Sequence, residues 1–249
     1  MDQSPFVFKQ LRTAEELAES YRLRWQVYCL ERGFLPAEDY PNEQETDRFD
    51  ACSLHFGAFH RETGELVGSL RLIISDAHDL PIFHRCQVDR ERLPNAEPRQ
   101  CGEISRLAVS KRLRRRKGDG PFGLAEADEQ RGMAGCDDRR AAPRRPQIVM
   151  GLYKALYQES LRQDVTYWFA AMEVSLSRLL ARFHFSFDAL GPEIDYHGPV
   201  TPFVASIRAL EQSVYHHHPD LLRDLADELE PELVPSQLKT PADSTKKAS

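Results

Sequence analysis

The sequence predicts an α/β (α+β) fold, with one mixed central sheet flanked by helices, on three observations. Two runs rich in β-branched and aromatic residues, "SLHFGAFH" (53–60) and "ELVGSLRLIIS" (65–75), flank the turn "RETGE" and read as a hairpin. Later apolar runs alternate with helical patterns, the order that covers a sheet with helices. Charged residues also recur inside these apolar segments, where an ion is costly to bury unless it is paired.

Taking the elements in order, Phe6–Leu11 is a short strand. Thr13 followed by Glu16 is a capping box, and it opens a helix reaching about Arg32. Leu17, Tyr21, Arg24, Val27 and Tyr28 recur on its inner face at three- and four-residue spacing. Residues 33–50 are acidic and turn-rich, hence a loop. After the hairpin, the prolines between 76 and 100 predict loop and short helix, and "GEISRLAVS" (102–110) is the next strand. Pro146 suits the first turn of a helix through "QIVMGLYKALYQESLRQ". A strand over 165–172 follows, then a helix carrying Leu176, Leu179, Leu180 and Phe183 on one face. "FSFDALGP" and "GPVTPFVAS" read as two more strands, with helices from Ser206 and near Leu221.

At 249 residues the chain is expected to form a single domain over 1–230 and a disordered tail over 231–249. Residues 111–146 hold eleven Lys/Arg against six Asp/Glu and few large apolar side chains, so a mobile basic loop is expected there. The net charge of −6 argues against a general nucleic-acid binder. Five cysteines with no CxxC spacing predict reduced thiols and no zinc site. The N-terminal segment lacks the apolar stretch of a signal peptide, and no run approaches the roughly 18 apolar residues of a membrane helix. A cytoplasmic protein without a membrane span is the expectation.

The candidate site is built from separate segments. Arg24 shares its helical stripe with Tyr21, Val27 and Tyr28, so its guanidinium points inward, unless the stem alone is buried and the head reaches solvent. Glu45, Asp47 and Asp50 repel one another unless a cation joins them, and a substrate ammonium, a metal or an arginine would serve. The plain alternative is a solvated acidic loop. Arg71 falls on a strand face with Val67, Ser69 and Ile73, opposite Leu70 and Leu72. Glu103 and Ser105 share a face, whereas Arg106 would point away on a regular strand. A β-bulge between Glu103 and Arg106 would bring the two to one side, and such a bulge is predicted.

Arg24, Glu45-x-Asp47-x-x-Asp50, Arg71 and Glu103-x-Ser105-Arg106 match in order and spacing the signature of LuxI-type autoinducer synthases, over roughly the first 110 residues. Arg32-Gly33-Phe34 stands where that family has Leu-Gly-Trp, and "IISDAHDLPIF" replaces its Pro-Thr-Thr segment. From Pro146 onward the chain is more similar to N-acyl amino acid synthases and to the acyltransferases associated with PEP-CTERM/exosortase systems. The resemblance implies a GNAT-like acyltransferase fold, its sheet splayed near the bulge. It implies an N-acyltransferase that moves a fatty acyl group from an acyl-carrier-protein or coenzyme A thioester, as co-substrate, to the amine of an amino acid or similar small acceptor. The alternatives are an acyl-homoserine-lactone synthase and a non-catalytic acyl-carrier- or lipid-binding module. No bound cofactor and no metal are expected.

On that resemblance Glu103, Ser105 and Arg106 are the catalytic candidates, with Glu103 as the base, working through water. Arg24, Phe34, Glu45, Asp47, Asp50 and Arg71 would bind the acceptor or shape its pocket. Leu107, Val109, Arg114, Arg115, Arg116 and Lys117 would meet the thioester donor or its carrier. Carrier proteins are acidic, so the basic run would speed docking. Nucleic-acid binding and a solvated loop are the other readings of that run. "RRKGDG" (115–120) also fits formally the loop with which GNAT enzymes hold the coenzyme A pyrophosphate. The strand over 165–172 and the helix after it would wall an acyl tunnel or form plain core. His216–His218 fan out around a helix and receive no role; His197, within "DYHGP", is either near the site or a turn residue.

Overall fold

The computed structural model describes residues 4–74, 80–111, 144–196 and 198–239. The basic run Arg114–Lys117, most of the expected loop 111–146, His197 and the tail after 239 lie outside the described residues.

The sheet opens with β1 (Phe6–Leu11), β2 (Ser53–His60), β3 (Leu66–Ile74) and β4 (Cys101–Val109), a fully antiparallel run in chain order. β5 (Tyr167–Met172) then pairs parallel to β4. The short strands β6 (Asp188–Ala189) and β7 (Ile194–Asp195) both pair with β8 (Pro199–Ser206), which lies antiparallel beside β5. The order is therefore β1-β2-β3-β4-β5-β8-β6, with β7 paired to β8. β7 was not expected, and the expected strand "FSFDALGP" shrinks to two residues.

Helix α1 (Ala14–Trp25) carries the expected Thr13/Glu16 capping box. It does not run on unchanged: Gln26–Glu31 is wound as a π-helix, a geometry often found at functional sites. α2 (Pro81–Arg85) is one short turn, and α3 (Arg144–Arg162) begins two residues before the expected Pro146. α4 (Val174–Ala181), α5 (Ile207–His217, capped by Ser206) and α6 (Pro219–Leu225) follow. Phe183 lies just past the end of α4 yet packs on the core. The expected disordered tail begins too early: Ser236–Leu238 forms a 3₁₀ turn, with Leu238 against the core.

Two apolar layers follow from the alternation of the strands. Ile148, Val149, Leu152, Tyr153 and Leu156 of α3 bury one face with Phe56, Leu70, Leu72 and Trp168. The ring of Phe8 lies over Gly151, where a side chain would meet it at 2.1 Å, so the helix seats close to the sheet. Leu23 and Val27 cover the opposite face near Leu66 and Ala108. Val67 had been expected beside Ser69 and Arg71. A register shift between β2 and β3 inserts it as an extra residue, and it packs instead with Leu70 and Leu72.

Candidate functional site

Three guanidiniums and three carboxylates meet on the α1 side of the sheet. Arg24, at the end of α1, donates from Nε to Glu45 Oε2 at 2.6 Å and grips both oxygens of Asp50 at 2.7 and 3.2 Å. Arg71 on β3 reaches Asp47 Oδ1 at 2.6 Å, Asp47 Oδ2 at 3.0 Å and Asp50 Oδ1 at 2.7 Å, and its Nε donates to Ser105 Oγ at 3.0 Å. Arg106 binds Glu45 at 3.1 Å and Asp47 Oδ2 at 3.0 Å. The alternatives left open for the acidic triplet thus resolve to arginine.

Local sequence explains why the loop holds its shape. Asp47 caps the 3₁₀ turn Arg48–Cys52 by accepting from Phe49 N–H, and Asp50 accepts the Asp47 N–H in return. This reciprocal cap fixes two carboxylates before any arginine arrives. Burial pushes the Asp50 carboxyl up, but Arg24 and Arg71 more than offset it and hold the group at about 2. Burial also opposes ionisation of Glu45 and Asp47, but Arg24 and Arg106 outweigh it at Glu45, and Arg71 and Arg106 at Asp47. His55 joins the cluster's edge, its Nε2 lying 3.4 Å from the Asp50 carbonyl, and burial lowers its pKa.

The expected bulge exists, displaced by about one residue. Pairing runs Arg71↔Ser105 and then Ser69↔Ala108, so β4 carries one residue more than β3 in the interval. Arg106 takes the strain with φ +53°, a left-handed value unusual for a residue with a side chain. That twist turns its guanidinium to the side of Arg71 and Glu103, where the hydrogen bonds to Glu45 and Asp47 offset the cost.

Glu103 stands apart from the ion cluster. It is buried, and its Oε2 accepts the Ile82 N–H at 2.8 Å. Burial raises its pKa to about 8, against the lowering pull of the Ile82 N–H and of Arg71.

The β4/β5 pairing stops at Glu103↔Phe169, and a cavity of about 170 Å³ opens where the strands diverge. Its polar wall holds Asp47, Arg71, Glu103, Ser105 and Arg106; its apolar wall includes Ile104, Leu107, Val109, Tyr153, Met172 and Leu176. Ile104, Val109, Tyr153, Met172 and Leu176 belong to the core layer under α3, so the cavity passes through the sheet from one layer to the other. Phe34 lines the mouth, beside Gly198. Tyr28 on the π-turn lines it too and donates to the Leu107 carbonyl at 2.9 Å. All the expected site residues within the described range therefore converge on this cleft or on the ion cluster behind it. The sequence reading missed Arg32, Glu173 and Tyr196, which also line the cleft. A signal was there: Arg32 ends an apolar helical stripe and Glu173 follows an apolar strand directly.

Residues 23–120, a stretch holding the whole ion cluster, match the acetyltransferase (GNAT) domain. The fold is GNAT-like. Among solved structures, TofI in a ternary complex with an inhibitor and MTA superposes with a TM-score of 0.59 at 18% identity, covering 92% of this chain and 98% of that one. BjaI, a CoA-dependent acyl-homoserine lactone synthase with SAM and isopentyl-CoA, gives 0.56 at 18% identity over 84% and 83%. FeeM, an N-acyl amino acid synthase from uncultured soil microbes, gives 0.53 at 14% identity over 84% and 93%. No curated protein matches the sequence. Within the GNAT-like fold the parting of β4 from β5 is the feature that makes the cleft. Among the described residues, no helix is long and apolar enough to cross a membrane, and no cluster of His, Cys, Asp or Glu is placed to hold a metal ion.

Proposed function

We propose that the protein is an N-acyltransferase. It moves a fatty acyl group from an acyl-carrier-protein or coenzyme A thioester to the amine of an amino acid or similar small acceptor. The observation that carries this reading is the buried Glu103 carboxyl at the point where the sheet parts, with an apolar wall on one side and a rigid polar wall on the other. A general base poised near neutral pH suits removal of a proton from an amine.

In the reaction, the amine nitrogen attacks the thioester carbonyl and forms the C–N bond. The proton leaving nitrogen passes to Glu103, directly or through a water, and the tetrahedral oxyanion is met by backbone N–H groups of the bulged β4. Collapse breaks the C–S bond, and the thiolate leaves and takes the proton back from Glu103. An acceptor that arrives as an ammonium gives up one further proton to solvent before it attacks. The ion cluster makes no chemical step; it holds Arg71, Ser105 and Arg106 in one geometry, which positions the reacting groups.

The likeness to N-acyl amino acid synthases supports an amino acid acceptor. The PEP-CTERM/exosortase association is proposed on the segments from Pro146 onward. A lactone synthase using S-adenosylmethionine is the second reading, favoured by the Arg24-to-Arg106 signature.

The decisive assay incubates the protein with lauroyl-acyl-carrier-protein and a pool of amino acids and follows free thiol. Thiol appearing only when an amine is present supports the reading, and mass spectrometry of the product separates amide from lactone. No amine-dependent thiol, with either carrier or coenzyme A as donor, overturns it. A second expectation concerns chain length. Ala171 lines the cleft on β5. Ala171→Phe adds a ring there and should shift preference toward shorter donors, read as a fall of about tenfold or more in the ratio of lauroyl to butyryl turnover.

A further inference from the structure

The ion cluster is closed: three arginines face three carboxylates, and each guanidinium is spent on an internal partner. None of the three is left to receive a negative ligand. Arg71 and Arg106 line the cleft but are held in this way, and among the described residues that line it Arg32 is the guanidinium outside the cluster.

Arg32 follows the π-helical turn, stacks over the Phe34 ring at 4.5 Å and pairs with Glu173 at the entry to α4. Glu173 also accepts from Ser175 Oγ at 3.3 Å. The pair's side chains are 19% and 23% exposed, against 1% and 0% for Arg24 and Glu45. Water reaches this pair, unlike the sealed Arg24–Glu45 pair, so a charged ligand can compete for it. Opening it leaves a planar fork suited to a carboxylate and, beside it, an anion suited to an ammonium.

We infer that Arg32 and Glu173 are the acceptor subsite, reading the carboxylate and the incoming ammonium of an α-amino acid. This rests on the acyl-transfer reading and narrows its substrate class. A zwitterion replaces one internal pair with two, Arg32 to carboxylate and Glu173 to ammonium, and leaves no charge unmatched. A plain amine leaves Arg32 without gain, and a fatty acid brings no nucleophile. Phe34, Leu35 and Tyr196 line the same mouth and offer apolar contact to the acceptor's side chain. Arg32 and Glu173 are here binding residues; Glu103 remains the base.

The test compares a pool of the twenty protein amino acids with the same pool as methyl esters, which keep the amine and lose the carboxylate charge. Wild type should prefer the acids. Arg32→Gln should lower kcat/KM for the acids about 10- to 100-fold, mostly through KM, and bring the acid-to-ester ratio near one. Arg32→Lys should recover part of the loss. A preference for acids that survives in Arg32→Gln, or a wild type indifferent to esterification, overturns the inference. A second readout needs no turnover: the amino-acid pool alone should raise the melting temperature of wild type but not of Arg32→Gln. Binding that depends on Arg32 without thiol release would sink acyl transfer and leave the subsite standing. Thiol release with acids and esters alike would do the reverse.

Discussion

Glu103→Gln is expected to lower turnover by about 100- to 10,000-fold while the protein stays folded. The substitution keeps the side chain's size and removes the ability to take a proton. Thiol release assayed across pH is the measurement. In wild type the rate should climb about tenfold per pH unit below 8 and level off above it, because only the ionised carboxyl is a base and its pKa is about 8. Stability moves the opposite way. A carboxyl whose folded pKa is raised by burial stabilises the fold fully below its unfolded pKa of about 4.5, and that contribution is lost as pH rises through about 8. Glu103→Gln has no such loss. Its melting temperature should exceed that of wild type at pH 9 by a few degrees or more, and the gap should narrow toward pH 5. A variant with wild-type turnover would remove Glu103 from the mechanism.

Arg24→Met is expected to cost about 3–5 kcal/mol, because Glu45 and Asp50 would keep their burial and each lose one of two arginine partners, Arg106 and Arg71 remaining. For a domain of this size that corresponds to a fall in melting temperature of about 6–20 °C, measurable by calorimetry. The acid limb offers an independent check. Asp50 has its pKa depressed to about 2, so its stabilising effect is present above its unfolded value near 3.8 and is lost as pH falls through about 2. Wild type should thus weaken across that window, and Arg24→Met should show a shallower slope there. A variant that melts within a degree or two of wild type would mean that the cluster contributes little to the fold.

Much of this was legible in the sequence because local rules carried it. The Thr13/Glu16 cap, the hairpin around "RETGE" and the outline of α5 from Ser206 follow from turn chemistry and periodicity, and the structure keeps them. The meeting of Arg24, Arg71 and Arg106 with the acidic triplet was readable because ions in apolar strands need partners. Other features depend on contacts far apart in the chain. The π-turn at Gln26–Glu31 has no local signature, and it arises where Tyr28 must reach Leu107. The insertion of Val67 reversed an expected side-chain direction, since one extra residue flips a period of two. Arg32 and Glu173 lie 141 positions apart, and no pattern within either segment announces the other. The Asp47/Asp50 cap was missed for a simpler reason: two aspartates in a loop suggested a ligand set before they suggested a turn.

The parting of β4 from β5 has a mechanical side. Cys101, Gly102 and Glu103 pair with Tyr167, Trp168 and Phe169, and the Thr166 N–H donates to the Gln100 carbonyl just before them, so the two half-sheets share a short seam. α3 splints that seam: it lies along β1, β2 and β3, while its Tyr153 and Ser160 grip Trp168 on the far side. Tyr153 also lines the opening between the halves, so the helix that joins them stands in the wall of the gap together with the strand residues.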